Sequence, residues 1–150
     1  MMDAVIQNIQ DKVSTLPIPY VDEDWGQLDY YSPNFPVKWP CVLIDISNAG
    51  FDNLGMDKTA SPVNRQTANT MISLTIANLK LTNTSQRAPQ NQKNAGFSIW
   101  KLQKDIHALI HGWRPAEWTG KLTRVSMQRI KRDDGVQEYT VVYSLGMTNV

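Results

Sequence analysis

His107 and His111 stand four residues apart, the spacing that lets two imidazoles reach one metal ion from a single helix face. A metalloprotease helix also places a glutamate directly after the first histidine as general base, and here that position is Ala108. Both histidines fall near Lys104, on the polar side of the stripe that carries Ile106 and Leu109, so a solvated helix face accounts for them without a metal. A metal-dependent hydrolase built on this pair needs a third ligand, which the sequence does not supply at a recognisable spacing.

Asp22, Glu23 and Asp24 precede Trp25-Gly26, and clustered carboxylates beside an aromatic ring can bind a cation or work as acid and base. Adjacent carboxylates repel, and hydrolytic pairs come from separate elements facing across a cleft. The run therefore reads as a solvated loop or an electrostatic contact for a partner. There is no Gly-x-Ser-x-Gly elbow, and Cys41 lies in an apolar run with no evident histidine partner. Gly50 and Gly55 flank Phe51-Asp52-Asn53-Leu54, but neither a Lys-Ser/Thr pair nor a helix follows, so this is not a phosphate cradle. No catalytic residue and no cofactor is expected.

Arg124, Arg129, Lys131 and Arg132, with Lys121 just before, make the last part of the chain locally basic. A basic strand can follow a phosphate backbone, which makes a nucleic-acid-binding module the first alternative, ahead of the metal-dependent hydrolase. Edge protection by charge explains the same residues, and there are no stacking aromatics at alternate positions beside them. Of the five tryptophans, Trp100 is expected in the core, whereas Trp25, Trp39 and Trp118 lie next to proline or glycine or in loops and suit a subunit contact.

These residues must be carried by a chain of 150 residues, the length of one domain, which buries about two thirds of its unfolded surface. Hydrophobic residues at 41% and charged residues at 19% place it among folding sequences. A formal charge of +1 provides no global field for nucleic acid or an anionic membrane. A lone cysteine excludes a disulfide within the chain, and no apolar run approaches the length of a membrane helix. The start Met-Met-Asp-Ala lacks a signal-peptide pattern, so synthesis and folding in the cytoplasm are expected.

Met2, Ile6, Ile9, Val13 and Leu16 recur at helical spacing, and Pro17 and Pro19 end that helix. A short extended piece at Tyr20 and Val21 follows, then a long proline-broken surface loop through residue 40. Cys41 to Ile46 reads as a buried strand, and Thr70 to Leu81 alternates as a half-buried one. The polar stretch 82–95 is expected as a mobile loop. Ile99, Leu102, Ile106, Leu109 and Trp113 predict a second helix over about 96–111, with Gly112 as its stop. Leu122 to Lys131 and Val136 to Met147 form a hairpin through Asp134-Gly135. The expected fold is one α+β domain: two helices packed on a mainly antiparallel sheet of about four to five strands, ending in a β-hairpin.

With Pro36-Val37-Lys38-Trp39-Pro40 leading into the strand from Cys41 to Ile46, this order of elements resembles the small tail-completion, or tail-terminator, proteins of tailed bacteriophages and prophages. The resemblance spans nearly the whole chain and lies in pattern, with no catalytic motif. It implies a virion structural protein of the tail or neck, assembled in the bacterial cytoplasm. It further implies a ring, commonly of six copies, that caps the tail-tube protein, meets the head connector and lets DNA pass through its lumen.

Overall fold

The computed structural model describes residues 2–29, 36–80 and 84–148. In chain order the elements are α1 (Met2–Val13), β1 (Tyr20–Glu23), a 3-10 turn (Gln27–Asp29), β2 (Cys41–Met56), β3 (Asn64–Leu79), α2 (Gln90–Gly96), α3 (Ser98–Ile110), β4 (Thr123–Ile130) and β5 (Val136–Thr148). The strands form one sheet in the order β1-β2-β3-β5-β4. β1 runs parallel to β2 and the other pairs are antiparallel, so the fold is α+β with a mixed, mainly antiparallel sheet.

Strand periodicity decides the two faces. Ile72, Leu74 and Ile76 of β3 pair with Tyr143, Val141 and Tyr139 of β5, and all six point to the helix layer. Val5, Ile9 and Val13 of α1 and Ile99, Ile106 and Ile110 of α3 close over them. Each such aliphatic side chain contributes about 1.5–3 kcal/mol on full burial. On the opposite face Leu28, Cys41, Leu43, Ala77 and Val136 make a second, smaller cluster, packed against Val37 and Trp39. The first four residues of β2 are buried on both faces, which is why Cys41 to Ile44 is continuously apolar rather than alternating.

α1 ends at Val13, three residues short of Leu16, the last position of the expected stripe. Leu16 N–H reaches Val13 C=O at 3.1 Å, a tight last turn, and Pro17 has no amide to continue it. Gly112 adopts φ 79 beyond α3, and its N–H bonds Leu122 C=O at 2.7 Å, turning the chain towards β4. Gly135 adopts φ 80 in the β4–β5 turn, the conformation that the Asp-Gly pair requires.

Three expectations need correction. The strand ending at Ile46 continues to Met56, and its partner begins at Asn64 rather than Thr70. Their hairpin outruns the rest of the sheet, because β5 accompanies β3 only as far as Thr67. The stretch 82–95, expected as loop, contains most of α2; Thr82 and Asn83 lie outside the described residues, as do Leu81 and residues 30–35 of the expected proline-broken loop. Trp100 is not in the core: it is 44% exposed and lies over Tyr139 with ring centroids 4.8 Å apart.

Candidate assembly surfaces

His107 and His111 do share one helix face, with ring centroids 4.5 Å apart. Each already has a partner for Nδ1. His107 Nδ1 lies 3.0 Å from the Tyr143 hydroxyl, and His111 Nδ1 accepts the Arg124 N–H at 3.2 Å. Accepting that bond puts the proton of neutral His111 on Nε2, which leaves the ring no lone pair for a metal. Burial foremost, then the nearby charges of Arg124 and His111, hold the His107 imidazolium below its ordinary range. Among the described residues no three His, Cys, Asp or Glu side chains stand close enough to hold a metal ion. The pair thus links α3 to β4 and β5. Cys41 is buried, and that burial pushes its thiol up to about 12, away from nucleophilic use.

The acidic run folds around a buried residue that the sequence did not single out. Gln27 Nε2 donates to Glu23 C=O at 2.9 Å and Gln27 Oε1 accepts the Trp25 N–H at 2.9 Å. Asp22 accepts the Tyr20 hydroxyl at 2.8 Å and the Glu23 N–H at 2.8 Å, and Asp24 accepts the Gly26 N–H at 3.0 Å. Asp22, Glu23 and Asp24 therefore shape a turn at the β1 edge of the sheet, with Glu23 exposed. Trp25 beside them is 56% exposed. Trp39 is partly buried in the smaller cluster and Trp118 in the larger one, so Trp25 is the most outward of the three tryptophans singled out.

Arg124 and Arg129 lie exposed on β4, and Lys131 follows them, also exposed. Arg132 differs: its side chain is 13% exposed and enclosed by Asp29 at 3.1 Å, Asp134 at 2.7 Å and Glu138 at 3.0 Å. It also donates to Leu28 C=O at 2.6 Å. Bonds from Arg132 hold Asp134 below the usual carboxylate range, whereas burial raises Glu138 in spite of the pairing. Arg132 ties the β4–β5 turn to the 3-10 turn and does not join the outward cations.

Sequence reasoning missed the exposed apolar residues. Phe51, Leu54, Met56 and Val63 stand on the outer part of the β2–β3 hairpin, Phe97 and Trp100 at the start of α3, and Val125 and Met127 on β4. Polar residues around them broke up any signal: at Asn48-Ala49-Gly50 the composition resembles a turn although the strand runs on.

No protein-family model matches the chain, and no curated protein matches it. Among solved structures, it is similar to a chain from a structure described as the virion of native gene transfer agent (GTA) particle, with a TM-score of 0.53 and 12% identity. The match covers 99% of this chain and 95% of that one. At that identity the likeness is one of fold, and it extends over essentially the whole length.

Proposed function

We propose that the chain is a virion structural protein of a phage-like particle and, within that class, a tail-terminator or tail-completion subunit that forms a ring, of about six copies, at the end of the tail tube. The observation that carries this reading is the fold shared from end to end with a chain of a gene transfer agent virion. Other features support it. The chain presents a long β2–β3 hairpin with outward Phe51, Leu54 and Met56, the type of projecting surface that meets a neighbouring subunit. Its two sheet edges differ in chemistry, as head-to-tail contacts require. In this reading the partners are further copies, the tail-tube protein and the head connector, DNA passes through the lumen without specific contacts, and the protein resides in the tail or neck of the virion.

The test is the mass of the purified protein by light scattering, alone and with tail tubes, combined with electron microscopy. Rings at tube ends are expected. A monomer that leaves tube ends uncapped at every concentration would exclude the role.

The outward cations Arg124, Arg129 and Lys131 favour a second reading, contact with nucleic acid. It expects DNA retention in a gel shift that strengthens steeply as salt falls.

A further inference from the structure

β4 ends the sheet, and among the described residues no strand pairs with its outer edge. Seven of its eight residues are exposed, including Val125 and Met127. Its register sets Arg124 opposite Tyr143 and Arg129 opposite Tyr139, so both arginines stand on the same side of the sheet as the helices. Lys121 and Lys131 flank them, and β4 itself carries no acidic residue. On the helix side the exposed ring of Trp100 lies over Tyr139, the residue opposite Arg129, and gives this basic edge an apolar neighbour.

The other end of the sheet has the opposite character. A groove between α1 and β1 is lined by Asp3, Ile6, Gln7, Gln10, Asp22 and Glu23, and the N-terminal amine holds Asp3 below the usual carboxylate range, so Glu23, exposed at the sheet edge, is the carboxylate turned to a partner. It too lies in the helix layer, since α1 packs on that face. The outward carbonyls of β1 are already used: Gln10 Nε2 donates to Val21 C=O and Gln27 Nε2 to Glu23 C=O, each at 2.9 Å. Side-chain donors thus already stand along that edge, and a docking partner meets side chains there first.

Resting on the ring reading, we propose that β4 of one copy docks against the α1–β1 groove of the next, with Arg129 facing Glu23 and Met127 seated against Ile6. The occupant is a second copy because both surfaces occur on one chain, at opposite edges of one sheet and in one layer, with opposite charge. A contact between different patches of identical chains propagates head to tail, which is how closed rings form. Opposed charges also steer the subunits together and fix their register.

The test is charge reversal read by mass. Glu23→Lys and Arg129→Glu are each expected to weaken association by about tenfold or more, and the double variant to restore it, because every interface would then carry the reversed pair. Circular dichroism should show an unchanged fold, since both side chains are exposed; Glu23→Gln and Arg129→Gln, expected to weaken association less, give the same comparison without added like charge. Oligomers that form unchanged in both reversals, or a double variant as weak as the singles, would overturn this interface while leaving the ring intact. A wild-type chain that stays monomeric even on tail tubes would overturn the ring reading and this interface with it. Arg129→Glu that loses DNA retention but assembles normally would assign the basic strand to nucleic acid and overturn the docking.

Discussion

Arg132 connects segments that lie about a hundred residues apart, and its removal has a calculable consequence. Without it, Leu28 C=O loses a donor and Glu138 stays largely enclosed beside Asp134 with no cation. Arg132→Ala is expected to cost about 2 kcal/mol near neutral pH in urea denaturation, less than a fully buried pair because Asp29 is solvated. The cost should shrink on acidification. Glu138 already has a raised carboxyl and would rise further without Arg132, so the folded variant takes up a proton more readily than the unfolded chain and its penalty is relieved as pH falls. Asp134, held low by Arg132 in the wild type, loses that contribution as pH falls through its titration, which narrows the gap from the other side. His107 gives a second pH effect. Its lowered folded-state value means that the unfolded chain binds more protons, so stability falls as pH drops below about 6.5, the ordinary histidine value, and the loss is complete once pH has passed the lowered one. His107→Gln removes the titrating group, and unfolding midpoints between about pH 7.5 and about pH 5.5 should then fall less than in the wild type. The spacing of His107 and His111 was visible in the sequence, but their partners were not. Tyr143 lies 36 positions beyond His107, and no local pattern couples the two.

Elements were legible where one face is buried and the other wet. α3 and β3 announced themselves by periods of 3.6 and 2, and β2 by its apolar run. Legibility failed where burial stops: β2 beyond Ile46 is held by pairing with β3, not by packing, so its residues carry no alternation to read. Packing on the sheet hid the register of α1, where fully buried Val5 replaces Ile6 at the centre of the stripe because the sheet beneath, not the helix alone, decides which side faces inward. α2 was hidden for a different reason: Gln-Asn-Gln-Lys-Asn has little apolar content, and its helix is a short one joined to α3 through Phe97. The outer hairpin permits a clean experiment. Replacing residues 53–66 by Asn-Gly joins Asp52 to Thr67, which already pair across the strands, through a two-residue turn suited to them. Most of the removed side chains are exposed, Met56 to 70%, so the melting temperature should change by no more than about 4 °C. In the tail-terminator reading, capping of tail tubes, scored by electron microscopy, should be lost. Capping that survives would show that the hairpin is not part of the contact.

For the molecule as a whole, two apolar clusters share strands β2, β3 and β5, with Leu43 on one side and Val42 and Ile44 on the other. Loss of either cluster removes support from the same strands, so the chain should unfold in one cooperative step seen alike by circular dichroism and tryptophan fluorescence. Leu74, fully buried in the middle of β3, is the position to test: Leu74→Ala should cost about 3 kcal/mol and shift both signals together. Assembly adds a dependence that no isolated fold can have. If copies join edge to edge in a closed ring, unfolding must also release each subunit from its neighbours, and the melting temperature becomes a function of total protein concentration. Each tenfold rise should add about 1 kcal/mol per subunit, which for a chain of this length is about 3 °C. Glu23→Lys, which opposes the basic β4 edge with like charge, should flatten that dependence over the range where the variant is monomeric by light scattering, while its limiting melting temperature at low concentration stays with the wild type. A wild-type melting temperature that does not move with concentration while rings are visible would mean that the subunits touch without stabilising one another, and the opposed edges would then not be the surfaces that hold the ring.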